Sequence, residues 1–186
     1  AESVFHQARK LKAQGFNPDV VIANPGWGES LFVKDVWPET KLGIYCEFFY
    51  HASGYDTTFD PEFANVDETE VCRIRWKNIN HYLHFDIADG GLAPTQWQAD
   101  SFPESFRSKL TVVHDGIDTD ILRPNPDASL TFNDQITLNC SDEIITFVNR
   151  NLEPYRGYHS FMRSLPEILT NRPQAKVLIV GGNGVS

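Results

Sequence analysis

Apolar positions along this 186-residue chain change their period repeatedly, and each change marks an element. Val4, Phe5, Ala8 and Leu11 recur at helical spacing and predict an amphipathic helix over 3–15, with Gly15 as its stop. Asp19 to Ala23 (DVVIA) is a short continuous apolar run, the pattern of a parallel strand buried on both faces. A loop over 24–28 leads into a short helical stretch ending near Trp37-Pro38, and 41–46 reads as a second strand. The stretch 47–65 is rich in aromatics, Gly and Asp but has no clean period, and long loops of that kind in compact domains are usually functional. The longest helix is expected over 67–87, with Val71, Ile74, Asn78, Tyr82 and Leu83 near one face.

Beyond it, 88–93 is a short strand, Thr95 is placed to cap a helix, and 110–114 (LTVVH) is another strand. Between 116 and 138 periodicity fades, and the run Pro124-Asn125-Pro126-Asp127 marks a linker. A strand over 143–148, a helix over 157–169 and a strand over 175–180 then lead into Gly181-Gly182-Asn183-Gly184. This alternation predicts α/β architecture with parallel sheets. The expected division is a first domain over 1–122, a linker over 123–142 and a second domain over 143–186. Open parallel sheets bind ligands at the carboxyl ends of their strands. Four post-strand loops therefore carry the candidate chemistry: 24–30, 47–60, 149–157 and 181–186.

Charge narrows the ligands. With 25 acidic and 16 basic side chains the formal net charge is −9, so nucleic acid is not expected as a partner. An anion could bind only at a local arginine cluster or a helix N-terminus. Cys46, Cys72 and Cys140 lack the paired spacing of a zinc site or a disulfide framework, and read as buried small apolar residues. No apolar run approaches the roughly 20 residues of a membrane span, and no signal peptide pattern opens the sequence. A cytoplasmic location is the expectation, with peripheral contact at the inner face of the membrane as an option.

The strongest chemical signal is Phe147 to Gly157, FVNRNLEPYRG, between an apolar strand and a helix. Arg150 and Arg156 can converge on one anion if Glu153-Pro154 turns the chain, because guanidinium forks donate paired hydrogen bonds to phosphate. The helix beginning near Gly157 would add backbone N–H groups and its positive dipole end. Equally, these are two solvated loop arginines, one of them paired with Glu153. In the 24–30 loop, Gly26 and Gly28 permit sharp turns, and Trp27 either stacks on a sugar ring or anchors in the core. The 47–60 loop offers Glu47, His51, Asp56 and Asp60 as acid–base candidates. Paired carboxylates there would also suit a glycoside hydrolase. His114, Asp115 and Asp118 lie where the first domain hands over to the second. A capped turn explains Asp115-Gly116, and His114 is kept as a cleft candidate.

The segments VVHDGIDTDILRP, VNRNLEPYRGYHSFMRSLPEIL and AKVLIVGG resemble the central part of glycosyltransferase family 4. PDVVIANPGWGES, YCEFFYHASGYDTTFDPEF and APTQWQADSFP extend the resemblance to a branch of that family, over nearly the whole chain. The departures from the commoner family form are His114-Asp115 for Pro-Asn, Asn149 for Gly and Arg156 for Lys. The resemblance implies two Rossmann-like parallel-sheet domains, the GT-B arrangement, and a retaining transfer from a nucleotide-sugar donor to a saccharide or lipid-linked acceptor. It assigns Arg150 and Arg156, with Gly157 beside them, to the donor diphosphate, while position after the first strand suggests an acceptor-side role for Gly26, Trp27 and Gly28. It also makes Glu47, with His51 as rival, the nearest polar group where the family often carries an acceptor-side residue. No metal or other cofactor is expected, since the arginines would neutralise the leaving diphosphate.

The family pattern also has a first strand before residue 1 and an acidic sugar-binding segment beyond residue 186. Both domains are therefore expected to be incomplete here, and the isolated chain to transfer little or no sugar. A sugar- or nucleotide-binding module without catalysis remains the competing reading.

Overall fold

The computed structural model describes residues 1–55, 57–64, 67–133 and 135–184. The chain forms two compact units, 1–116 and 117–186.

The first unit is an α/β layer built on four parallel strands: β1 (Val20–Ala23), β2 (Lys41–Tyr45), β3 (Gly90–Ala93) and β4 (Leu110–Val112), in that spatial order. The helices are α1 (Glu2–Ala13), α2 (Val33–Val36), α3 (Glu68–Lys77), α4 (Ile79–Ile87), α5 (Gln96–Ser101) and α6 (Glu104–Arg107). Strand alternation sends Leu42 and Ile44 of β2 and Ala93 of β3 into a core with Ala8, Val36, Trp37, Phe102 and Phe106. Gly91 shares that face because nothing larger fits. A Cβ there would lie 2.6 Å from Leu110 Cδ2 and 2.9 Å from Cys46 Sγ.

The opposite sheet face is open. Val20 and Ile22 of β1 are 57% and 54% exposed, so β1 is not buried on both faces as its apolar run suggests. It is the edge of the sheet, and the core lies only on the side of Val21. Apolar run length reports that a strand is hydrophobic, not that both its faces find partners.

The expected single helix over 67–87 is two helices broken at Asn78. Asp67 caps the first by accepting from the Glu70 N–H at 2.8 Å. Asn78 is buried, and its amide pairs with the backbone of Tyr50: Nδ2 donates to the Tyr50 carbonyl at 2.7 Å, and Oδ1 accepts from the Tyr50 N–H at 3.0 Å. The buried face is made by Ile74, Asn78, His81 and His84, whereas Tyr82 and Leu83 are exposed. Two polar imidazoles on the inner face disguise its true direction. Thr95 caps α5 as expected, accepting from the Gln98 N–H. Of the cysteines only Cys46 is buried, with burial pushing its thiol up to about 12; Cys72 and Cys140 are exposed.

The second unit contains an antiparallel hairpin, β5 (Ser129–Phe132) and β6 (Ile136–Asn139), followed by β7 (Ile144–Asn151), α7 (Tyr158–Asn171) and β8 (Lys176–Gly182). The 123–142 span is therefore not featureless: the hairpin occupies half of it, with Leu138 buried. β7 and β8 pair in parallel with α7 as the crossover, a βαβ unit. Phe147 of β7 packs against Tyr158 and Phe161 of α7. No helix among the described residues is long and apolar enough to cross a membrane.

Candidate functional site

Because β7 and β8 are parallel, their carboxyl ends lie together, and so do the loops that follow them. β7 runs on to Asn151, past a register irregularity between Val148 and Asn151. Arg150 therefore sits on the last turn of the strand rather than in the loop expected to hold it. It is exposed, with no ion-pair partner among the described residues. The glycine loop closes on the same strand end. The Leu152 N–H donates to the Gly182 carbonyl at 2.9 Å, and a Cβ on Gly182 would lie 3.2 Å from Asn151 Oδ1.

Past Asn151 the chain makes a single 3-10 turn over Pro154–Arg156 and enters α7 through Gly157, whose φ of +77° favours glycine. The N-cap of α7 is Gly157, which has no side chain to answer the helix's first N–H groups. Arg156 is exposed and its Nε lies 3.6 Å from Glu153 Oε1, with its guanidinium 5.2 Å from the Tyr155 ring centroid. Of the two readings of this segment, the pairing of one arginine with Glu153 is thus present. The Glu153 side chain is almost fully buried, and an incoming anion would have to draw Arg156 away from it.

In the first unit the loop after β1 is a 3-10 turn over Pro25–Trp27, capped by Asn24, whose Oδ1 accepts from the Gly26 N–H at 2.9 Å. Gly28 closes the turn at φ +72°, and Asn80 of α4 donates to the Gly26 carbonyl at 2.7 Å. Trp27 is 83% exposed, which removes the reading of a core anchor. Behind the loop, Ser30 Oγ and His84 Nε2 are 2.8 Å apart in a buried pair, and His84 Nδ1 faces the Asn80 carbonyl at 2.6 Å. Its neighbour His81 is buried between Phe49, Phe85 and Phe102, and its Nδ1 has no partner at hydrogen-bonding geometry among the described residues. Burial, with His84 adding to it, pushes His81 down to about 4, and burial lowers His84 as well.

The loop after β2 divides its residues by depth. Phe49 goes into the core and its N–H donates to Ser101 Oγ at 3.1 Å. Glu47 is exposed. His51 is half-buried, stacks on Tyr55 with ring centroids 4.1 Å apart, and holds its Nε2 2.6 Å from the Ser101 carbonyl. A carbonyl can only accept, so Nε2 is the donor of this bond. Asp56 lies outside the described residues. Trp97 and Phe48 stack face to face nearby, at 5.5 Å and 20°.

At the end of β4, exposed His114 accepts from the Gly116 N–H through Nδ1 at 2.9 Å, a local turn rather than a contact with another candidate. Asp115 does reach across: Tyr45 donates its hydroxyl to Oδ1 at 2.8 Å. That bond, with Asp115 and Glu47 charges nearby, pushes the Tyr45 phenol up to about 12. The sequence singled out neither Phe48, Tyr55 nor Trp97; it placed Asn78 on a helix face and Glu153 beside an arginine, without the Tyr50 contact of the one or the burial of the other. Only the aromatic density of 47–65 was visible beforehand, and it could not say which rings face out.

Within the first unit, then, the post-strand loops holding Gly26, Trp27, Gly28, Glu47 and His51 all leave the carboxyl edge of one parallel sheet. Within the second, Arg150, Arg156, Gly157 and the glycine loop share one edge of the β7–β8 pair. No curated protein matches the chain. The family model described as the glycosyl transferase family 4 group matches residues 1–122, about two-thirds of the chain. This protein belongs to the glycosyl transferase family 4 group.

Proposed function

We propose that the protein transfers a sugar, with retention of configuration, from a nucleotide-sugar donor to a saccharide or lipid-linked acceptor. The donor's diphosphate is assigned to the second unit, at Arg150, Arg156 and the N-terminus of α7 beyond Gly157. The acceptor is assigned to the first unit, along the loops carrying Gly26, Trp27, Gly28, Glu47 and His51. The observation that carries the reading is the junction of β7 and β8. It gathers an exposed arginine, a close-packed glycine loop and the N-terminus of a helix entered through Gly157 at one strand edge.

The chemistry follows from charge. Breaking the bond between the sugar's anomeric carbon and the diphosphate leaves the electron pair on the phosphate oxygen. Two guanidinium groups and a helix dipole stabilise that growing negative charge, and a single well-placed donor is worth roughly 3–4 kcal/mol in other enzymes. The acceptor hydroxyl attacks the face the diphosphate leaves, and its proton passes to the departing phosphate oxygen. No metal is needed in this scheme. His51, whose ring is held by its Nε2 contact to the Ser101 carbonyl, is assigned to orienting the acceptor hydroxyl, with Glu47 as the alternative. The reaction is assigned to the cytoplasmic side, at or near the membrane if the acceptor is lipid-linked.

The test incubates the full-length protein with a panel of sugar nucleotides and detects released nucleoside diphosphate. Nucleoside diphosphates are titrated in parallel against the protein and its Arg150→Ala variant. Release with at least one donor and at least tenfold weaker diphosphate binding by the variant are expected. Equal binding by the two removes Arg150 from the site, and binding without any release leaves a non-catalytic module.

A further inference from the structure

The aromatic residues of the first unit fall into two sets. Phe49, Phe85, Phe102 and Phe106 form the inner set, packed against one another under the sheet. Phe48, Tyr55 and Trp97 form an outer set on the loop after β2 and on the first turn of α5 after β3. Phe48 and Trp97 lie nearly parallel with centroids 5.5 Å apart. Tyr55 sits 5.5 Å from Trp97 at 55° and 6.2 Å from Phe48. Tyr55 is held in turn by the His51 ring.

The outer set is not needed to fill the core, and Trp97 keeps 56% of its surface exposed although Phe48 covers one of its faces. Apolar surface left out in this way, with polar groups around it, marks a ligand site more often than a packing remnant. The polar surround is here too: Gln96 donates to Asp100 Oδ1 at 2.9 Å, the Tyr55 hydroxyl donates to the Asp100 carbonyl at 3.4 Å, and His51 stacks on Tyr55. All of these sit at the carboxyl edge of the sheet, where an open parallel sheet takes its ligand.

We propose that Trp97, backed by Phe48 and Tyr55, is the platform on which a sugar ring of the acceptor stacks. This rests on the reading of the protein as a sugar transferase. A pyranose ring presents a flat face of C–H bonds and a rim of hydroxyls. It needs an aromatic plane with hydrogen-bonding groups at its edge, which is the composition found. A lipid chain would instead need a dry channel, and Asp100 and Gln96 make this one wet.

The experiment probes the protein with an immobilised panel of neutral, amino-sugar and acidic oligosaccharides, and with phosphatidylcholine vesicles carrying a polyprenyl phosphate. Binding to at least one saccharide is expected. Trp97→Ala should weaken it about tenfold or more, and Trp97→Phe should restore part of the loss. Because Trp97 is largely exposed, the unfolding midpoint of Trp97→Ala should stay close to that of the parent, which separates stacking from folding. The proposal fails if no saccharide on the panel binds, if Trp97→Ala binds saccharide as well as the parent, or if only the vesicles bind. Nucleoside diphosphate titrations on the same variants keep the two readings apart. Trp97→Ala should leave them unchanged, and failure of Arg150→Ala to weaken them would sink the donor assignment while leaving the platform standing.

Discussion

Acidification should destabilise the first unit well before its carboxylates titrate, and the cause is one pair of histidines. His81 is 5% exposed and His84 fully buried, and both are held neutral. In the unfolded chain a histidine titrates near 6.5, whereas folded His81 titrates at about 4. Between those values the unfolded state binds the extra proton, so stability rises with pH from about 4 to about 6.5 and is flat above. For His81 alone the full difference is about 3 kcal/mol, of which about 2 kcal/mol is already lost at pH 5. His84 adds in the same direction. Against a typical domain stability of about 5–15 kcal/mol this is a large fraction. The assay is denaturant unfolding at a series of pH values, followed by tryptophan emission. All four tryptophans (Trp27, Trp37, Trp76 and Trp97) lie in the first unit, so the signal reports that unit. His81→Phe, which keeps a ring among Phe49, Phe85 and Phe102 and removes the titrating group, should flatten part of the slope. A stability that is level between pH 6.5 and 4.5, or a His81→Phe slope equal to the parent's, would refute the reasoning.

Other outcomes follow from single contacts. Asn78→Ala removes both bonds between the amide and the half-buried backbone of Tyr50 and should cost about 1–3 kcal/mol in the same unfolding assay, with the helix break losing its anchor. Gly91→Ala pushes a methyl against Leu110 and Cys46 and should cost about 1–3 kcal/mol, read as a lowered midpoint; a neutral result would mean the strands can part. Gly157→Ala meets no atom within 4 Å, so its cost is the left-handed backbone alone, about 1–2 kcal/mol. Circular dichroism should show the helical signal of α7 kept in that variant, while nucleoside diphosphate affinity falls as the turn aiming its N-terminus relaxes.

The alternation of apolar runs with helical spacing determined, from the chain alone, that this is an α/β protein with parallel strands. β1, β2, β7 and α7 fall where their patterns put them, because local period depends only on neighbouring side chains. The combined motifs carried the family resemblance as well, and the family match over residues 1–122 agrees with it. What the pattern could not decide depends on residues distant in sequence. Val20 and Ile22 look buried because they are apolar, but only a partner from elsewhere buries a strand face. The helix over 67–87 looks continuous, but Tyr50, 28 residues away, captures Asn78 and breaks it. Two histidines look like surface polarity, but α4 turns them inward against Ser30 and three phenylalanines. The aromatic crowd in 47–65 could not be sorted by reading it. Phe48 and Phe49 are adjacent, and the packing sends Phe49 into the core and leaves half-buried Phe48 to stack with exposed Trp97. Composition and period are local properties and were legible. Which face of each element finds a partner is set by the whole packing, and the tertiary structure alone decides it.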